Sequence, residues 1–201
     1  MKRMVLMALL AMALPLAAFA GSVDFTNSGG VLSGSSAGLS LGSSELIAVN
    51  GLNGGLVTGG LGNISFSTGA LMAGGSLQTG GTFASGGSFT ITGNGTDGIP
   101  NGMIFNGSFT GPVTWTVVTL GNSTHNYELN GQISGTWFNG ATVFGATIQL
   151  TINTGKGFFN GSTNISSGDT NITTVPEPGT LGLLGTGLLG LAGALHRKLK
   201  A

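Results

Sequence analysis

The sequence predicts an all-β fold: an antiparallel sandwich or open barrel-like body with Gly/Asn-rich turns, followed by one short C-terminal transmembrane helix. Three observations carry this. Across residues 21–174, short runs rich in Val, Ile, Thr and Phe alternate with glycine-containing breaks, the pattern of antiparallel strands. No long run in that body shows helical periodicity. Asn-Gly occurs eight times, at Asn50, Asn53, Asn94, Asn101, Asn106, Asn130, Asn139 and Asn160. It is the strongest short hairpin signal, because a type I′ turn needs positive φ at both central positions.

In chain order, the first element is an address. Lys2 and Arg3 precede an eleven-residue apolar run at residues 4–14, which Pro15 ends. Ala18, Phe19 and Ala20 then give the small-x-small pattern that signal peptidase accepts. Residues 1–20 therefore read as a signal peptide whose removal leaves Gly21 as the new N-terminus. Eleven helical residues reach roughly 16 Å, far short of a hydrocarbon core about 30 Å thick, which argues against a permanent anchor. The body opens weakly. Residues 29–87 are dominated by Gly, Ser and Leu, leaving a flexible stretch or irregular edge strands as alternatives.

Strands become legible further on. Phe89 and Ile91 alternate with Ser88, Thr90 and Thr92. Val113, Trp115 and Val117 share a face opposite Thr114 and Thr116, and Tyr127, Leu129 and Ile133 face away from Glu128 and Gln132. Ile148, Leu150 and Ile152 alternate with Gln149, Thr151 and Asn153. Period-two alternation of this kind marks a half-buried strand. Asn106-Gly107 and Asn130-Gly131 are predicted as hairpin tips. Residues 160–174 are polar and lack aromatics, and read as a stalk. A body of about 150 residues buries a single core.

Charge is scarce and unevenly placed. Charged residues make up 6% of the chain, against about 25% in an ordinary soluble domain. Lys2 and Arg3 sit at one end, and Arg197, Lys198 and Lys200 at the other. Between them, residues 21–175 hold Asp24, Glu45, Asp97, Glu128 and Asp169 against Lys156 alone. One lysine cannot neutralise a run of phosphates, so nucleic acid is excluded as a partner. The absence of cysteine excludes a disulfide scaffold and a Cys-ligated metal site. With 40 glycines in 201 residues, the body must present Ser, Thr, Asn and Gly, a surface suited to a hydrated sugar matrix.

No catalytic, cofactor or metal residue is expected, and the protein reads as a non-enzyme. His125 reads as an exposed loop histidine; Asp169 or Glu128 could orient it, but no spacing brings them together. The G-x-S-x-G elbow of a serine hydrolase is missing. Five acidic residues show no spacing that singles out a glycosidase pair. Residues 93–98 resemble half of a calcium turn, yet Asp97 is the sole carboxylate there, and a plain turn is the better reading. Gly185, Gly187 and Gly190 match a dinucleotide fingerprint that no strand precedes and no acidic residue follows. Trp115, Tyr127, Trp137 and Phe138 would stack on sugar rings if exposed, but their alternation with Thr and Glu favours core packing.

The far end is the most specific part of the sequence. Val175, Pro176, Glu177 and Pro178 form an extended segment, since proline disfavours helix at the residue before it. The apolar stretch bounded by Leu181 and Leu195 follows, then the stop-transfer cluster Arg197, Lys198 and Lys200. With Thr180 the stretch gives about 24 Å of helix, just enough to span with snorkelling flanks. The basic cluster stays cytoplasmic by the positive-inside rule. Residues 175–201 resemble the PEP-CTERM sorting signal, in which this motif, a Gly/Leu-rich span and a basic tail occur in the same order. Such a tail also carries the label "ice-binding protein C-terminal domain", which says nothing of the body. The resemblance implies processing by an exosortase after signal peptidase has acted, with transient anchoring in the inner membrane of a Gram-negative bacterium. It also implies a surface or matrix role in biofilm, exopolysaccharide or cell envelope. The expected organisation is thus a signal peptide at 1–20, a β body at 21–174 with its stalk at 160–174, and a sorting signal at 175–201.

Overall fold

Apolar and polar side chains alternate along twelve strands, and the sheet they form closes on itself. The computed structural model describes residues 21–174 together with Gly187. The strands are β1 (Gly21–Ser28), β2 (Val31–Ser35), β3 (Gly38–Asn50), β4 (Leu56–Ser67), β5 (Gly81–Phe83) and β6 (Gly86–Asn94). They continue as β7 (Asn101–Phe109), β8 (Val113–Thr119), β9 (His125–Trp137), β10 (Thr142–Asn153), β11 (Ser162–Asn164) and β12 (Ser167–Thr174). The order β1-β12-β10-β9-β7-β6-β4-β3 returns to β1 through the β1–β3 pairing, giving a closed eight-stranded barrel. The expected all-β antiparallel class holds, but the sheet is closed where a sandwich or an open barrel was expected. Closure follows from β1 having a partner on both edges, β3 and β12. Bulges aid it: the register slips between Thr26 and Asn27, Leu41 and Ser44, and Val143 and Ala146, and each slip adds twist to its strand.

The four remaining strands extend the staves of this barrel. Ser28 opposes Glu45 and Val31 opposes Gly42, so β2 continues β1 along the same edge of β3. In the same way β8 continues β7 along β9. β5 precedes β6, pairing β8 as β6 pairs β7, and β11 precedes β12, pairing β2. The chain therefore winds as an up-and-down meander in which each stave neighbours the next in sequence.

Two regions differ from the sequence reading. Residues 160–174 are no stalk, because they supply β11 and β12, the stave that closes the ring. Most of their polar residues face outward, while Ile165, Thr170 and Ile172 are buried. Residues 29–87 supply β2 to β5 and the start of β6 in place of the flexible alternative. In β3, Leu39 and Leu41 are buried, the chain bulges at Ser43 (φ 47°), and Leu46 and Val49 are buried beyond it.

The interior is filled by apolar side chains, as eight strands allow. Phe66, Phe89, Phe105 and Phe109 pack with ring centroids about 6 Å apart, mostly edge to face, the favoured aromatic geometry. Further along the barrel Trp115 stacks on Tyr127 at 4.9 Å and meets the edge of Phe159 at 5.5 Å. Trp115 Nε1 donates to the Leu77 carbonyl (2.8 Å), and the Tyr127 hydroxyl donates to the Gln78 carbonyl (2.7 Å) and accepts from the Phe159 amide (3.0 Å).

Of the expected turns, Asn53-Gly54, Asn139-Gly140 and Asn160-Gly161 fall between consecutive strands, with φ of 80° at Gly54, 85° at Gly140 and 102° at Gly161. Asn106-Gly107 and Asn130-Gly131 are not hairpin tips; both lie inside strands. Their glycines answer to packing. Gly107 opposes Gly135, where an added Cβ would stand 2.1 Å from the Asn106 carbonyl oxygen. A Cβ at Gly131 would stand 2.7 Å from the Phe109 ring.

Candidate functional site

The sequence-predicted sorting residues lie mostly beyond the barrel. Ala18 and Ala20, the motif Val175, Pro176, Glu177 and Pro178, the span ends Leu181 and Leu195, and Arg197, Lys198 and Lys200 are outside the described residues. The transmembrane helix expected over 181–195 lies there too, Gly187 aside. Gly21, the expected new N-terminus, is the first described residue and lies in β1.

His125 is not an exposed loop histidine. It opens β9 and is 7% exposed. Its Nδ1 lies 3.0 Å from Thr119 Oγ1, and its ring stacks on Phe158 at 4.1 Å. Inward positions on β9 are odd-numbered, as buried Tyr127 and Leu129 show, so Glu128 points to the other face. Asp97 sits at φ 50° in an exposed turn. Among the described residues no group of three or more His, Cys, Asp or Glu could hold a metal. Trp115, Tyr127 and Trp137 are all buried, at 1%, 0% and 8% exposure. Sugar stacking on a row of these rings is therefore ruled out; Phe138 alone of that set is exposed.

Among the described residues a groove of about 740 Å³ lies on the outside of the barrel over β9, β10 and β12. Gly111 and Pro112, at the break between β7 and β8, form one wall, and Asp24 on β1 stands at the other. Two rungs of side chains cross it. Asn130 opposes Gln149, which opposes Asp169; Gln132 opposes Thr147, which opposes Asn171. All six line the groove. They share one face because strand residues two apart point the same way, with Ile148 and Leu150 turned inward between them. Asn171 donates through Nδ2 to the Asp24 carboxylate and to Ser22 Oγ (2.9 Å), tying β12 to β1. Lys156, the single Lys or Arg among the described residues, lies on the connection after β10, so the described lining of the groove has two carboxylates and no cation. Sequence reasoning saw these residues only as the polar side of strands. The pairing of β9, β10 and β12, which makes them a surface, has no local signal.

No curated protein and no solved structure matches the chain at a significant level. A family model does match the tail, over residues 174–198, beginning at the final residue of β12. The chain thus carries a PEP-CTERM protein-sorting motif, the signal of an exported protein that an exosortase processes at the membrane.

Proposed function

We propose that this protein is a non-catalytic β-barrel delivered through the inner membrane of a Gram-negative bacterium to the cell surface or extracellular matrix. There it has a structural or adhesive role linked to exopolysaccharide or the cell envelope. The observation that carries this reading is the PEP-CTERM motif at residues 174–198. In this reading signal peptidase removes residues 1–20, the 181–195 span anchors the chain transiently, and Arg197, Lys198 and Lys200 hold its end in the cytoplasm. The exosortase then acts near Glu177. The barrel's exterior of Ser, Thr, Asn and Gly suits a hydrated polysaccharide environment.

A polysaccharide hydrolase is the second reading, favoured by one observation: Asp24 and Asp169 line the same groove. Against it, both carboxylates are exposed, and Asp24 is already held by Asn171. A glycosidase acid needs drier, more apolar surroundings.

The test is Glu177→Ala in the native host, with the C-terminus of the protein mapped by mass spectrometry. The unaltered protein should lose its tail and leave the membrane fraction, whereas the variant should keep both. An unchanged mature C-terminus in the variant would sink the claim that this motif directs processing. Release of reducing ends from polysaccharide, abolished by Asp24→Asn, would replace the non-catalytic reading with the hydrolase.

A further inference from the structure

Part of the barrel's outer polar surface is internally satisfied. On β4, β6 and β7 outward side chains bond one another or neighbouring carbonyls: Ser67 with Ser88 at 3.0 Å, Thr90 with Asn106 at 3.5 Å, and Asn94 with the Gly60 carbonyl at 2.6 Å. Asn153 likewise donates to Asn126 at 2.7 Å. The groove differs. The side chains of Asn130, Gln132, Thr147, Gln149 and Asp169 form no hydrogen bond or ion pair among the described residues. Five polar groups with idle capacity thus stand on two neighbouring rungs in one concavity.

We infer that the groove over β9, β10 and β12 is a binding site for an uncharged polyhydroxylated ligand, a stretch of neutral polysaccharide. The inference deepens the proposed matrix role and rests on it for the source of the ligand. The chemistry selects the class. Asn130, Gln132 and Gln149 each offer two N–H donors and a carbonyl acceptor, Thr147 offers a hydroxyl, and Asp169 only accepts. Such a set complements hydroxyl groups, which also donate and accept. Anionic polymers are disfavoured, because Asp24 and Asp169 stand in the groove with no cation among its described lining residues to balance a further negative charge. A divalent cation is poorly served as well, since it wants several oxygen ligands and the Asp24 carboxylate is engaged by Asn171. Size agrees. Three strands about 4.8 Å apart and two rungs about 7 Å apart span roughly 10 by 7 Å, about the footprint of a disaccharide. The groove volume of about 740 Å³ lies within the range of small-ligand sites. Recognition here works through amides and hydroxyls, with the Trp and Tyr rings inside the barrel.

The experiment follows side-chain amide resonances of the full-length mature protein by NMR. It is titrated with neutral hexasaccharides (gluco-, manno- and galacto-configured), with an oligogalacturonate of equal length, and with Ca²⁺ alone. At least one neutral sugar should move the amide signals of Asn130, Gln132 and Gln149, and oligogalacturonate should move them less. Gln149→Ala and Gln132→Ala should each weaken binding about five- to tenfold, one hydrogen bond's share, with the unfolding temperature unchanged. Shifts confined to other faces, equal response to the anionic sugar, response to Ca²⁺ alone, or silence toward every neutral sugar at millimolar concentration would overturn the site. The two readings fail separately. A groove that binds sugar in a protein whose tail is never processed sinks the sorting role alone, whereas a processed protein with a silent groove sinks this one.

Discussion

Tyr127 offers the sharpest test of how the barrel's long connections are held. Its hydroxyl is a two-way joint: it donates to the Gln78 carbonyl at 2.7 Å and accepts from the Phe159 amide at 3.0 Å. Gln78 belongs to the connection between β4 and β5, and Phe159 to that between β10 and β11. Tyr127→Phe removes one oxygen atom, and the ring keeps its stacking on Trp115 at 4.9 Å. No cavity of consequence forms, so the whole effect falls on the two hydrogen bonds. The Phe159 amide is left buried without a partner, which costs about 1–3 kcal/mol, and the partly exposed Gln78 carbonyl loses a net contribution of about 1 kcal/mol. The expected loss is about 2–4 kcal/mol. With a urea m-value of about 2 kcal/mol/M, the midpoint should fall by about 1–2 M. The melting temperature should drop by about 6–12 °C for a change of about 3 kcal/mol in a domain of this size. Urea unfolding followed by tryptophan fluorescence measures the first, and hydrogen exchange should show the Phe159 amide losing protection ahead of the barrel strands. A loss below about 0.5 kcal/mol, with the Phe159 amide still protected, would refute the reasoning.

Other consequences follow from the ring. A chain ending at Thr174 should fold as the full chain does, and one ending at Ser166 should not, since it lacks β12 and with it buried Thr170 and Ile172; circular dichroism and limited proteolysis distinguish them. For the same reason, mass spectrometry of the mature protein should place its C-terminus beyond Thr174, because a cut within β12 opens the barrel. Gly135→Val should cost about 3 kcal/mol or more, at the top of the range for overpacking, because its Cβ would stand 2.1 Å from the Asn106 carbonyl. Soluble yield and melting temperature report it.

How much was legible depended on whether a strand kept its period. Residues 113–117 and 148–152 read as strands and are strands, because alternation runs unbroken through Val113 and Trp115 and through Ile148, Leu150 and Ile152. In β3 the bulge at Ser43 shifts the phase between Leu41 and Leu46, so local alternation fades although both leucines are buried. Asn130-Gly131 carries the composition of a turn, yet its glycine is there to admit the Phe109 ring, a requirement set by a residue on another strand. Residues 160–174 read as a stalk because half of a barrel strand is meant to be polar, and only ring closure shows which half. His125 sat in a polar stretch, but the stacked Phe158 ring that covers it arrives from beyond β10. The sorting motif was legible in full, since an enzyme must read it from the chain itself. The groove was not, because its rungs are assembled from three strands.

The course of the chain through the ring also sets how the barrel bears a mechanical load. Seven antiparallel steps lead round from β1 to β12, so these two hydrogen-bonded neighbours run in opposite directions, and Asn171 beside Ser22 shows that their outer ends lie together. Force between those two ends acts across the rungs and peels them in turn, the weak way to pull a sheet. A ligand over the groove would grip the rungs Gln132–Thr147–Asn171 and Asn130–Gln149–Asp169, beside that same C-terminal end of β12. Force between the C-terminal end of β12 and such a ligand would therefore fall first on the rung of Thr147 and Asn171 and reach Thr151 and Ser167 last. The rungs nearest that end, and not the whole ladder, would set the load the barrel bears.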